Sequence, residues 1–180
     1  MKYYTGSRFR LASLPGGLRL ILVLYLVITL LGFWLAALKY WFRGSAEGRL
    51  FSMAGSQQYY VDRWTSQDPL LAGEADSPIH WLIDMSHPHL FTIPLVLLVL
   101  CHLVQLCRGP QGLKSGLYIA AFGGLMATFG LPWLAQVLPA VAILIPFGGM
   151  LLVLSGTALC VWALYELFAK DPNRASRASS

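Results

Sequence analysis

The chain has 180 residues, of which 57% are hydrophobic and 12% are charged, and its formal net charge is +5. A soluble domain carries about 25% charged residues, so this composition excludes an ordinary soluble fold. The apolar residues are gathered into four long runs, each close to or above the ~20 residues that a helix needs to cross hydrocarbon. We therefore expect an integral membrane protein of the all-α class.

The first run lies at about residues 20–42 and follows an amino-terminal segment that carries four basic side chains. A secretory signal peptide has an apolar stretch of only about 7 to 15 residues. The apolar run from Leu20 to Leu38 is longer than that, so we expect a retained membrane helix.

Residues 43–87 form the longest predicted connection, in which six acidic residues face three basic ones. The rings of Tyr59, Tyr60 and Trp64 favour a short helix or loop on the outer membrane surface, because such rings collect at the interface. A docking surface for a periplasmic partner is the alternative interpretation of this segment.

The second span is predicted at about residues 88–107. Ser77 followed by Pro78 is typical of a helix start, but a helix from there to Cys107 would be about 45 Å long. That length exceeds the ~30 Å thickness of the hydrocarbon. Pro88 cannot donate a backbone hydrogen bond and is expected to kink the helix, which leaves the residues before it in the interfacial segment.

The third and fourth spans are predicted at about residues 116–133 and 140–168, and both carry small residues at regular spacing. These residues are Gly116, Ala120, Gly124 and Thr128 in the third span and Ala142, Gly149, Gly156 and Ala163 in the fourth. Small residues let membrane helices pack closely; the alternative is that they leave room for a flat prosthetic group such as a porphyrin. The four spans predict a single membrane domain, residues 1–180, folded as a four-helix bundle.

Basic residues predict the orientation of this bundle. The segments before the first span, between the second and third spans, and after the fourth span are all net basic. Because Lys and Arg favour cytoplasmic loops, we expect both termini in the cytoplasm and residues 43–87 outside. No basic stripe runs along one element, so the net charge indicates topology and gives no sign of nucleic-acid binding.

Three polar residues before the second span suggest a metal site. His80, Asp84 and His87 recur at helical spacing and fall on one helix face. Nitrogen and oxygen ligands on one face are able to hold a divalent metal ion. Ordinary solvation of a helix at the outer interface is the alternative.

Two deeper histidines, His89 and His102, suggest haem. They are thirteen residues apart, or about 19 Å along a helix, so they cannot ligate the same iron atom. Instead they place one imidazole near each leaflet, in partial likeness to membrane b-type cytochromes. His89 and His102 are the first candidate ligands for haem b, and His87 is the third.

The second axial ligand has several candidate sources. The first, third and fourth spans contain no histidine, so a homodimer or a partner subunit would have to supply an imidazole. A thioether from Met126 or Met150 is another possible ligand. In the remaining interpretation the histidines hydrogen-bond to neighbouring helices and bind nothing.

Glu166 is the other ionisable residue deep in a span, and Lys170 follows it at the spacing of a helical ion pair. A proton-handling carboxylate near the cytoplasmic surface is the alternative. The sequence has no phosphate loop, no carboxylate pair within a span and no evident Ser-His-Asp arrangement. It also lacks the C-x-x-C-H motif of c-type haem attachment. We therefore expect an electron carrier or accessory subunit rather than an enzyme.

The H-x-H of His87 and His89, together with the Tyr-Glu-Leu-Phe ending of the fourth span, resembles a group of small four-helix bacterial inner-membrane proteins associated with respiratory cytochromes. The resemblance implies a bacterial inner membrane and an electron-transfer setting. On this basis we expect a membrane subunit that binds haem b and passes electrons between a periplasmic donor and the membrane. Its partners would be the lipid bilayer and other membrane or periplasmic electron-transfer subunits. A cofactor-free accessory subunit and an outer-face metal-binding membrane protein are the alternatives.

Overall fold

The computed structural model describes residues 11, 14–47 and 78–169 of the chain. These residues form four α-helices and no strand. The helices are α1 (Gly16–Glu47), α2 (Pro78–Gln105), α3 (Gln111–Ala135) and α4 (Ile145–Phe168), with a short 3-10 helix at Pro139–Leu144. Each α-helix contributes a segment long and apolar enough to cross a membrane. The predicted all-α four-helix membrane fold is confirmed.

Helix α2 is continuous from Pro78 to Gln105 and contains both Pro88 and Pro94. Residues 78–87, predicted to be interfacial, therefore belong to the same helix as the span that follows. Helix α3 begins at Gln111, earlier than its predicted start, because the polar residues at its beginning form the first helical turn. The rings predicted to lie at the interface, Tyr59, Tyr60 and Trp64, are outside the described residues.

Near Pro88, side chains of α2 form hydrogen bonds with the helix backbone. Pro88 removes one backbone donor from the helix. Nearby, the Thr92 hydroxyl donates to the Pro88 carbonyl at 2.8 Å, and a ring nitrogen of His89 contacts the Met85 carbonyl at 2.6 Å. Such local bonds help membrane helices to tolerate proline, since the lipid interior offers no water.

Helices α3 and α4 approach most closely at glycines. A Cβ atom added to Gly124 would lie 2.6 Å from the backbone nitrogen of Leu152, and one added to Gly148 would lie 2.5 Å from the Ala127 Cβ. Backbone-to-backbone contact of this kind is the packing that small residues permit in membranes. The packing interpretation of the small-residue pattern therefore accounts for Gly124, and Gly148 is an additional contact outside that pattern.

Helix α1 packs along α4. The ring of Phe33 lies over Gly156, where an added Cβ atom would be 2.7 Å from its Cζ. Leu26 is fully buried in the common core, whereas most of the α1 span is exposed on the outside of the bundle. The first helix is thus attached to the others along a single stripe.

Substitution of Gly124 by alanine should loosen the α3–α4 contact. The new methyl group would meet backbone atoms of α4 that cannot rotate away, and such overpacking costs about 1–3 kcal/mol. We expect a lower midpoint of thermal unfolding in detergent for Gly124→Ala. The matched control is Gly123→Ala, where an added Cβ atom meets nothing within 4 Å. Equal midpoints for the two variants would contradict the packing described above.

Candidate functional site

Two contacts between α2 and α3 bracket the segment of α2 that carries His89 and His102. At one end of the span the Trp133 indole donates to the Ser86 hydroxyl at 3.1 Å; we call this the Trp133 end. At the other, the Lys114 ammonium donates to the Gln105 carbonyl at 3.3 Å, close to Arg108; we call this the Arg108 end. Ser86 and Gln105 are nineteen residues apart, about 29 Å along a helix. This length matches the ~30 Å of hydrocarbon.

His89 and His102 lie just inside these two boundaries. Each is three residues from the nearer boundary, His89 from Ser86 and His102 from Gln105, or about 4.5 Å along the axis. The two rings also leave the helix in directions that differ by about 140°. The helix therefore carries one imidazole near each end of this segment, and the two do not converge on one site.

His89 has the best-defined surroundings of the predicted ligands. Its Nδ1 lies 2.6 Å from the Met85 carbonyl oxygen. A carbonyl oxygen only accepts hydrogen bonds, so Nδ1 carries a proton, and in the neutral imidazole Nε2 then has the lone pair. The ring stacks on Phe129 of α3, with centroids 5.1 Å apart and an angle of 23° between planes. Both ring contacts orient an imidazole whose side chain is still exposed.

His87 faces a different side of α2. It is exposed, and its ring meets Phe91 edge-on at 5.2 Å, with 65° between planes. Two residues along a helix turn the side chain by about 200°, which separates His87 from His89. The H-x-H pair therefore does not form one site within the chain.

The predicted metal ligands His80, Asp84 and His87 are all exposed. Among the described residues, no group of three or more His, Cys, Asp or Glu side chains is placed to hold a metal ion. The metal hypothesis at these three residues stays a prediction.

The surroundings of the proposed sixth ligands are open. Met126 is 56% exposed and Met150 is 50% exposed, so neither thioether is enclosed within the bundle. The close contacts over Gly124 and Gly156 are made by backbone and by Phe33. At these two positions, helix packing fills the space that a flat prosthetic group would require.

A polar cluster at the Arg108 end was not predicted from the sequence. Lys114 is only 4% exposed, and its ammonium donates to the carbonyls of Cys107, at 2.5 Å, and Gln105. Tyr118 donates to the carbonyl of Cys101 at 3.1 Å. The last carbonyls of a helix have no partner within the helix, and cations are favoured at its negative end. These side chains complete the end of α2.

Helix α4 contributes a second part of this cluster. Glu166 is 3% exposed, and its Oε1 lies 3.7 Å from Nε of the half-exposed Arg108. The Trp162 indole donates to the Arg108 carbonyl at 3.1 Å. Its ring covers Gly109, which has a positive φ of 136°. A Cβ atom added there would lie 2.5 Å from Cζ2 of Trp162, so both the backbone conformation and the space require glycine. The predicted partner of Glu166, Lys170, lies outside the described residues.

The signal for this cluster was present in the sequence as the basic residues between the second and third spans. They were used only as evidence of orientation, because charge in a short loop is normally solvated. A helix that ends near the membrane boundary also needs hydrogen-bond donors for its last carbonyls. Lys114 is close enough in the sequence to supply them.

Cys107 lies inside this cluster and should react slowly with thiol reagents. The pKa of its thiol is raised to about 12, chiefly by burial and also by the nearby Glu166, while Lys114 acts in the opposite direction. Since the thiolate is the reactive form, we expect the labelling rate of a chain with Cys101→Ala and Cys160→Ala to rise ~tenfold per pH unit beyond pH 9. When the same chain is unfolded in denaturant, its labelling rate should instead level off near the ordinary pKa of a thiol. A plateau near pH 9 in the folded protein would contradict the described burial.

Replacement of Lys114 by methionine tests its role at the end of α2. The change keeps a long side chain but leaves the two carbonyls without their donor, which costs about 1–3 kcal/mol. We expect Lys114→Met to lower the midpoint of thermal unfolding. Leu113→Met is the matched control, because Leu113 is 55% exposed on the same helical turn. No difference between the two variants would argue against the capping role.

The sequence profile of a family described as a transmembrane helical domain, Aq_1264_TM, matches residues 73–174. The matched region contains α2, α3 and α4 and covers more than half of the chain. Comparisons with curated proteins and with solved structures gave no match. With four helices in the described residues that are long and apolar enough to cross a membrane, the chain is a multi-pass membrane protein that belongs to the Aq_1264_TM family of transmembrane helical domains.

Proposed function

We propose that this protein is a membrane subunit of a respiratory or other electron-transfer complex in the bacterial inner membrane. In this proposal His89 is an axial ligand of haem b, and the protein passes electrons between a periplasmic donor and the membrane. The observation that carries the proposal is the hydrogen bond from His89 Nδ1 to the Met85 carbonyl.

The tautomer and the fixed ring orientation of His89 are the properties that a histidine ligand of iron requires. Histidines that bind metals usually donate their second ring nitrogen to a carbonyl or carboxylate, which fixes the tautomer and leaves the other nitrogen as donor. The bond to Met85 and the stacking on Phe129 do this before any ligand binds. The chain would therefore lose little rotational freedom of the ring on coordination.

A bound b-type haem would accept and release one electron at a time, with a potential set by its axial ligands and surroundings. The chain's own residues orient the imidazole and place it about 4.5 Å below the Trp133 end of the span. The exposed position of His89 leaves its Nε2 side to another protein chain, which would supply the second axial ligand. His102 lies at the same distance, about 4.5 Å, from the Arg108 end of the span.

The charge distribution supports the orientation in this proposal. The loop between α2 and α3 and the first turn of α3 contain Arg108 and Lys114 and no acidic residue. Contacts of Arg108 with Trp162 and Glu166 put the end of α4 on the same side of the membrane. Positively charged loops favour the cytoplasm, so the Arg108 end and both termini are assigned to the cytoplasmic side and the Trp133 end to the periplasm.

A cofactor-free accessory subunit is the second candidate function. It is favoured by the close packing over Gly124, Gly148 and Gly156, which fills space between helices. In this case the stacked His89 ring would serve only to add a hydrogen bond near Pro88. The protein would then contribute surface and stability to a larger membrane complex.

A visible absorption spectrum distinguishes the two candidates. We expect the tagged full-length chain, purified in mild detergent with its partners, to show a Soret band and a reduced-minus-oxidised α band. His89→Ala should lose at least half of the haem per chain, because the oriented nitrogen is gone.

Thr92→Ala is the matched control for this experiment. Thr92 is exposed on α2 and bonds a backbone carbonyl, as His89 does, but it has no nitrogen to offer iron. Its haem content should equal that of the parent. Absence of a Soret band in the parent with partners retained would rule out the haem proposal and leave the accessory function.

A further inference from the structure

Three polar side chains lie together on α2 and α3 just inside the Arg108 end of the span. His102 and Gln105 are three residues apart on α2, which puts them on neighbouring positions of one helix face, and both are exposed. The Tyr118 hydroxyl of α3 donates to the side-chain oxygen of Gln105 at 3.1 Å. We call these residues, His102, Gln105 and Tyr118, the polar strip.

Contacts within the bundle leave much of the hydrogen-bonding capacity of the polar strip unused. Within the described part of the chain, the His102 ring forms no hydrogen bond, ion pair or ring contact. The amides of Gln105 and Gln111 are 3.4 Å apart, which is long for a hydrogen bond. The single Tyr118 proton is shared between the Cys101 carbonyl and the Gln105 oxygen. Polar groups that face lipid need hydrogen-bonding partners, so a ligand with a polar head would be stabilised here.

The charges at the Arg108 end favour an uncharged head over a phosphate. The Lys114 ammonium is buried and donates to backbone carbonyls, and Arg108 lies beside the Glu166 carboxylate. The polar strip itself offers an imidazole, an amide and a phenol. Phosphate is bound best by arginine and lysine side chains that are free to face it. Groups that both donate and accept instead match the carbonyl or hydroxyl oxygens of an uncharged molecule.

Apolar side chains continue from the polar strip toward the middle of the span. Leu98 is one turn from His102 on α2 and is 61% exposed, and Phe122 is one turn from Tyr118 on α3 and is 38% exposed. Because α2 and α3 run in opposite directions, both residues lie on the side of the strip nearer the centre of the span. The surface is thus polar near its end and apolar farther in, which suits a polar head with a long hydrocarbon tail.

We propose that the polar strip binds the headgroup of a membrane quinone, with the isoprenoid tail along Leu98 and Phe122. A quinone is uncharged and lipid-soluble, and its two carbonyl oxygens accept hydrogen bonds from the Tyr118 hydroxyl, the Gln105 amide and a ring N–H of His102. The role of this quinone as the electron carrier in the membrane rests on the proposed function. Its binding is measured independently of haem.

Photolabelling in vesicles tests the site. The full-length chain is reconstituted in phosphatidylcholine and irradiated with an azido-quinone that carries a short isoprenoid tail. We expect label on peptides from residues 98–122, and we expect excess unlabelled quinone to remove it. His102→Ala should lower the labelling several-fold, because a hydrogen bond to the headgroup is lost. His102 is exposed, so this replacement leaves the core intact.

Two matched variants control for the substitutions. His87→Ala removes an exposed imidazole near the other end of the span, and Tyr165→Phe removes the hydroxyl of a 74% exposed tyrosine on α4. Both should label like the parent, whereas Tyr118→Phe should label several-fold less. Equal labelling of all variants overturns the proposal, as does competition by phosphatidylglycerol but not by unlabelled quinone. Quinone-competed labelling of a chain without a Soret band upholds the site and refutes the haem proposal; a Soret band without such labelling refutes the site alone.

Discussion

The placement of α2 against α3 depends on how its carbonyl end is bonded. The buried Lys114 ammonium donates to the carbonyls of Gln105, the last residue of α2, and of Cys107 just beyond it. At the opposite end, the Trp133 indole donates to the Ser86 hydroxyl. Ser86 and Gln105 are nineteen residues apart, a length close to the hydrocarbon thickness. His89 and His102 lie just inside the two ends of this segment, His89 beside Phe129 of α3 and His102 exposed.

The two sides of α2 serve different purposes because one is packed and the other is open. Toward α3, Phe129 supports the His89 ring. On the far side, His87 and His102 are exposed in a line with large apolar residues. A lone chain therefore presents oriented imidazoles without enclosing any of them, and this arrangement is better suited to a subunit than to a self-sufficient carrier. The proposed ligation likewise requires a second chain.

Hydropathy predicted the four spans well, because the cost of exposing polar groups to hydrocarbon acts on every residue of a span. The spacing of Gly124 also indicated close packing correctly. Spacing alone did not show which side of α2 would be buried. Helix periodicity establishes that His87 and His89 diverge, yet both sides of α2 are apolar, so only tertiary contact with Phe129 distinguishes them.

Charged residues were the less predictable part of the site. Lys114 and Arg108 looked like solvated loop residues, and Glu166 was assigned a partner on its own helix. In the structure Glu166 contacts Arg108 of the α2–α3 loop and Lys114 is buried, while the predicted partner Lys170 lies outside the described residues. Such contacts depend on where the loop between α2 and α3 brings the helix ends together. That loop geometry in turn depends on Gly109 and the Trp162 ring, a pairing of residues more than fifty positions apart in the chain.

The attachment of α1 through Phe33 and Gly156 bears on how this architecture varies. The family match begins after α1, and the α3–α4 glycine contacts do not involve it. Removal of α1 would uncover Gly156 and the part of the core that Leu26 fills, while the glycine contacts between α3 and α4 would keep their own partners.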